Sequence, residues 1–236
     1  MGMGARIPMR MGTRHMTIRI PMHIDAKLLT LTQWLSPAFP VGAFAFSHGL
    51  EQAARNGWVE SAADLLEWLQ DIMHHGSGFS DAIWIRLAND ADTEADVLTL
   101  NAQCRAFAPS IERLREAERQ GQAFARVTSD VWQVKLPALQ LPIALGAAAR
   151  QEDLPIEAVI TLYLQSFLGN LVSAAQRIMP LGQTDAQAVL AKLNRDCIDI
   201  AAKTKAANLQ DISSSAFLSD IASMRHEKLQ PRIFQS

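Results

Sequence analysis

Apolar residues recur at spacings of three and four along nearly the whole chain, and the period-two alternation of half-buried strands is missing. Leu28, Leu29, Leu31, Trp34 and Leu35 form the first run, with Asp25 placed as its cap and Ser36 before Pro37 as its stop. Residues 37–46 break the period, because Pro37, Pro40 and Gly42 prevent regular structure. A helix resumes near Ser47 and ends at Asn56 and Gly57. Ser61 with Asp64 is spaced as a capping box, opening a helix with Leu65, Trp68, Leu69 and Ile72 on one face that runs to residues 76–78. Ser80 and Asp81 start the next helix, which ends near Asn89, and Thr93 with Asp96 repeats the box. Beyond Pro109, Ser110 caps a highly charged segment, residues 130–135 fit either helix or strand, and Pro142 opens a short helix ending near Ala149. Pro155 and Pro180 bracket a long helix; Thr184 with Gln187 resembles another capping box ahead of a helix to about Lys205. Ser213 to Ser215 precede a last helix over residues 216–225. The pattern predicts eight to ten helices in one all-α domain over residues 25–225, built around a buried central helix.

Charge is distributed unevenly along this pattern. Twenty-three uncharged residues separate Lys27 from Glu51, fourteen separate Lys135 from Arg150, and nineteen separate Glu157 from Arg177. The last stretch has the length of a membrane span, but Gln165, Ser166, Asn170, Ser173 and Gln176 make spanning costly, so it is expected to be the core helix. On a helical wheel Ile160, Tyr163, Leu164, Phe167 and Leu171 form a bulky face, opposite a small polar one of Ala158, Gln165, Gly169, Ser173 and Gln176. Neither face is charged, so both are expected to be covered. In the segment after Ser110, Glu112, Arg113, Arg115, Glu116, Glu118 and Arg119 read as a solvated helix face with pairs such as Glu112 to Arg115.

Composition narrows the chemistry. The 236 residues are 49% hydrophobic and 19% charged, enough for a substantial core, and 22 basic against 24 acidic residues leave no broad basic surface for nucleic acid. Two distant cysteines, Cys104 and Cys197, suit a reduced, cytoplasmic protein. Residues 1–24 hold four arginines but no apolar run of a signal peptide and no amphipathic stripe for a membrane surface. They are expected to be a disordered extension, with Met16 or Met22 as alternative starts to Met1. Without residues 1–22 the balance is 18 basic to 24 acidic, a net charge of −6.

No phosphate-binding loop and no nucleophile elbow is present. The six histidines show no metal-ligand spacing, and His74 and His75, being adjacent, cannot aim at one ion from a single helix. His48 and Glu51, three apart, can share a helix face either as a surface polar pair or as the acid–base pair of an all-α enzyme. The loop is the anomaly: Phe39, Val41, Phe44 and Phe46, with Pro37 and Pro40, put bulky apolar surface on an irregular segment. It either folds over the core or docks another protein. The tail 226–236 poses the same choice between a frayed end and a docking segment, because Met224, Arg225, His226 and Glu227 followed by Arg232, Ile233 and Phe234 mix arginine with apolar anchors.

Loop and tail together resemble the UreF family of urease accessory proteins. Three blocks carry the resemblance: SPAFPVGAFAFSHGLE over residues 36–51 with Gly57, Trp58 and Val59; NLVSAAQR over 170–177 continuing to PLGQTD over 180–185; and IASMRHE over 221–227 ending at Arg232, Ile233 and Phe234. Phe46 stands where the family often has Tyr, and KLQP over 228–231 replaces a run usually of Thr-Gln-Tyr-Ser type. The resemblance implies an all-helical, homodimeric, non-enzymatic protein that joins a UreD-type scaffold to a UreG-type GTPase for GTP-dependent nickel delivery to apo-urease. It implies no resident cofactor, nickel being handled transiently at most. Carried onto this chain, the partner-binding positions are Phe39, Pro40, Gly42, Phe44, Gly49 and Glu51 in the loop and Arg225, His226, Glu227 and Arg232 in the tail. The apolar anchors Phe46 and Phe234 complete the set, and the loop is expected to lie exposed until a partner covers it.

Overall fold

The computed structural model describes residues 26–236; the proposed extension, the choice of start and the Asp25 cap lie outside the described residues. The described part is all-α and contains no strand. Ten helices follow in order: α1 (Ala26–Trp34), α2 (Leu50–Arg55), α3 (Ala62–His75), α4 (Ser77–Asp90), α5 (Glu94–Ala106), α6 (Ile111–Trp132), α7 (Leu141–Gln151), α8 (Ile156–Ile178), α9 (Gln183–Lys203) and α10 (Phe217–His226), with three short 3₁₀ turns.

Local chemistry explains most of the boundaries. Ser61 and Asp64, and likewise Thr93 and Asp96, exchange both capping-box bonds, and the Ser110 side chain accepts from the Arg113 amide. Pro155 sits at the cap of α8. Four boundaries differ from expectation. α2 begins at Leu50 rather than near Ser47, because His48 and Gly49 take left-handed backbone, with φ of 60° and 80°. α4 begins at Ser77, absorbing Gly78, whose bare Cα lets Met73 of α3 pack against it. α6 takes up residues 130–132, Gln133 turns left-handed with φ of 63°, and the chain has no regular structure from there to Gln140. Thr184 caps nothing: Gly182 holds the cap position of α9 without a side-chain bond.

α8 is central, packed on α9 along its length and on α2, α4, α7 and α1 elsewhere. Its bulky face is buried as expected, with Ile160, Tyr163, Leu164 and Leu171 inside and Phe167 half-buried. The small face is not covered: Gln165 and Ser173 are exposed, and a side chain built at Gly169 would meet nothing within 4 Å. α8 is long and apolar enough to cross a membrane by length and composition alone, yet half of its most apolar window is buried in protein. Close helix crossings depend on missing side chains. A Cβ at Gly146 of α7 would fall 2.2 Å from the Ile85 carbonyl of α4. Against this scaffold Phe39 docks beside Phe124 and Trp132, both of α6, and Trp34 meets the same two rings edge-on. Part of the apolar loop is therefore core.

Candidate functional site

The loop is turned by glycine and by one strained residue. Gly42 is left-handed, residues 43–45 make a 3₁₀ turn, and Phe46 is extended. His48 and Gly49 then reverse the chain into α2, and Gly49 is indispensable twice over. Its φ is positive, and a Cβ there would lie 2.7 Å from the Ser223 amide nitrogen on α10. α10 crosses at that point, and its Ser223 hydroxyl meets the Ser110 hydroxyl at 2.6 Å.

Three carboxylates then draw the tail down onto the loop. Glu51 of α2 is buried and accepts the backbone N–H groups of Ile233 (2.8 Å) and Phe234 (2.9 Å). Glu112 of α6 receives His226 Nδ1 at 2.7 Å and the guanidinium of Arg232. Glu116, one turn on, receives Arg113, the amide of Gln120 at 3.2 Å and the Ser236 hydroxyl at 2.7 Å. His226 is wholly enclosed, with Nε2 3.2 Å from Glu51. Each ring nitrogen therefore faces a carboxylate oxygen from a different helix. Three acids thus face the guanidinium groups of Arg113 and Arg232 and the ring of His226, so every buried carboxylate has partners. Backbone bonds finish the seam: Gln235 N–H to the Ala45 carbonyl at 2.9 Å, and Ser47 N–H to the Ser236 carbonyl at 2.8 Å. The Phe234 ring is 2% exposed and lies 4.3 Å beneath the Arg177 guanidinium.

Behind the seam is a cavity of ≈ 90 Å³ whose walls include His48, Asp81, Arg113, Glu116, Gln140 and Tyr163. Burial, with Arg113 nearby, lowers the His48 pKa to about 4, and His48 Nε2 bonds the Ser77 hydroxyl at 2.8 Å. Burial raises Asp81 to about 6, partly offset by the Tyr163 hydroxyl it accepts at 2.6 Å. Burial would raise Glu116 too, but Arg113 and His48 outweigh it and hold the carboxyl at about 2. His48 and Glu51 belong to different networks, and no hydrogen bond or ion pair joins them among the described residues. The acid–base pairing imagined for an enzyme is not formed.

The structure thus brings the two sequence-predicted segments together, but not as a free surface. Phe39, Phe46, Gly49, Glu51, His226 and Phe234 are buried, whereas Pro40, Phe44, Arg225, Glu227 and Arg232 remain exposed and Gly42 is partly covered. The loop of an isolated chain is already half covered by α6 and by the tail, contrary to the expectation that it waits exposed. Glu227 accepts the Ile111 N–H at the start of α6, and Arg225 lies over the Trp58 ring. The charged run of α6 is corrected as well: Glu112 and Glu116 are 7% exposed and face the tail. Their spacing of four was a visible signal, two acids on one face beside Arg113. Ser47, Arg177 and Ser236 were missed because each acts on a backbone group or ring distant in sequence. Among the described residues no group of three or more His, Cys, Asp or Glu is arranged to hold a metal ion.

A family model described as UreF matches residues 59–194. The chain belongs to the UreF family of urease accessory proteins. Relatives extend the likeness well beyond that segment. A urease accessory protein UreF from Roseobacter denitrificans is 44% identical over 220 residues, 93% of this chain and 98% of the relative. Another from Cereibacter sphaeroides is 48% identical over 209 residues, 89% of this chain and 98% of its own, and one from Ruegeria pomeroyi is 42% identical over 212.

Proposed function

We propose that this chain is an adaptor of urease maturation: it joins a UreD-type scaffold to a UreG-type GTPase and so governs GTP-dependent nickel delivery to apo-urease. It acts in the cytoplasm as a homodimer, catalyses no reaction itself and passes nickel on without keeping a resident ion. The observation that carries the reading is the fused loop and tail. Two segments that are weak surfaces alone are locked into one by Glu51 and Glu112, leaving Phe44 and Ile233 outward at 73% and 57% exposure. Apolar side chains held out on an ordered seam and flanked by Arg225 and Arg232 have the make-up of interface hot spots. Phe217, Ile221 and Met224 of α10 are also exposed. The enzyme reading has lost its only pair, since Glu51 is committed to tail amides and His48 to Ser77.

Deleting residues 226–236 would orphan the buried carboxylates of Glu51 and Glu112 and take the Ser236 hydroxyl from Glu116, so a gentler variant makes the cleaner test. Phe44→Ser combined with Ile233→Ser alters only exposed side chains and is expected to keep the melting temperature while losing capture of the UreD-type scaffold in pull-down. Undiminished capture would sink the docking reading. Sedimentation as a monomer at micromolar concentration would remove the homodimer, and a tight nickel site in equilibrium dialysis would remove the transient handling.

A further inference from the structure

Residues 23–236 carry a net charge of −6, yet arginines from four elements ring the docked tail: Arg55 of α2, Arg119 of α6, Arg177 of α8 and Arg225 of α10. Each is held by a neutral group. Arg55 donates to the Pro231 carbonyl at 2.8 Å, Arg119 to the Gln235 side-chain oxygen at 2.5 Å and Arg177 to the Phe44 carbonyl at 2.9 Å. Arg177 also lies over Phe234, and Arg225 over Trp58. Carbonyls and ring faces fix a guanidinium without neutralising it, and no ion pair among the described residues includes any of the four. A surface groove of ≈ 400 Å³ runs between α2, the end of α8 and the tail, lined by Arg55, Arg177, Arg232, Ile178 and Ile233. Its one carboxylate, Glu51, is turned inward onto the tail amides.

We propose that this groove receives an acidic segment of a partner protein, its carboxylates on Arg55 and Arg177 and an apolar residue on Ile178 and Ile233. The proposal rests on the docking reading for the occupant's being a protein, and adds its chemistry. Each guanidinium has five N–H donors, of which its anchor uses one, so bidentate recognition of a carboxylate stays open. The orientation is fixed in advance, which reduces the ordering cost of binding. An apolar floor and an acidic remainder of the molecule disfavour a long polyphosphate, which needs a continuous basic track.

The test uses the full chain and a fluorescein-labelled peptide, acetyl-Glu-Glu-Leu-Glu-Glu-amide, followed by anisotropy. Wild type is expected to bind it, more weakly as salt is raised. Arg55→Gln with Arg177→Gln is expected to weaken binding about tenfold, whereas Lys192→Gln with Lys203→Gln on α9, the same change in net charge, leaves it within about twofold. Arg55→Lys with Arg177→Lys keeps the charge and recovers part of the loss, while an unchanged melting temperature excludes a loosened tail. Equal losses in the arginine and lysine pairs, no binding by wild type, or tighter binding of a single-stranded oligonucleotide of matched charge would each overturn the proposal. Failure here leaves scaffold capture intact; failure of the adaptor reading abolishes capture with the peptide still bound.

Discussion

His226 shows how far a single side chain reaches in this molecule. It is on the last turn of α10, it has no contact with solvent, and each of its nitrogens meets a carboxylate from a different helix. Replacing it by alanine takes one partner from each of two buried acids, leaving Glu112 with Arg232 and Glu51 with the tail amides, and is expected to cost about 3 kcal/mol in urea unfolding. Arg195→Ala, which removes an exposed pair with Asp199, should change stability by no more than about 0.5 kcal/mol. Asp81 gives a pH-dependent test. Its folded pKa of about 6 lies above the ordinary 3.8, so the folded state binds the proton more tightly. The stabilisation is present below about pH 4 and is lost as pH rises through 6, leaving an unfavourable buried charge at neutral pH. Asp81→Asn keeps an acceptor for the Tyr163 hydroxyl, and is expected to raise stability by about 1–2 kcal/mol at pH 7.5 and by almost nothing at pH 4. Thermal melts at the two pH values check this. His48, lowered to about 4, runs the other way: its neutral form stabilises the fold above pH 6.5, and that gain is lost as pH falls through 4.

Among the elements, those settled by neighbours in sequence were legible in advance. The capping boxes of α3 and α5 and the proline start of α7 need only residues within one turn, so periodicity and caps located them. α6 was misread for the opposite reason. The partners that bury Glu112 lie 114 and 120 residues away on α10 and the tail, and no local pattern contains them. α2 started late because a tertiary crossing decides it: α10 passes over Gly49 closely enough to require both a left-handed turn and a missing side chain. Gly49→Ala is therefore expected to cost about 2–4 kcal/mol, and to increase proteolysis of the tail more than that of α9. Gly146→Ala, which pushes α7 off α4, should destabilise by about 1–3 kcal/mol without freeing the tail.

On the scale of the whole molecule, the charge-free pattern puts residues 158–176 in the core and leaves residues 37–46 as surface for a partner to cover, and the structure divides each of them. Residues 37–46 send Phe39 and Phe46 inward and Phe44 outward, while α8 buries its bulky face and leaves Gln165, Gly169 and Ser173 open. The fold holds loop and tail as one seam before any partner arrives, and that seam is the centre of the account. Amide hydrogen exchange in the free chain tests it most directly, because the Ile233 and Phe234 N–H groups are held only by Glu51. Those two amides are expected to be protected at least about a hundredfold, within reach of global unfolding, and to lose that protection in Glu51→Gln. Exchange at the open-chain rate in the wild-type protein would contradict the docked tail and, with it, the single surface on which the adaptor reading stands.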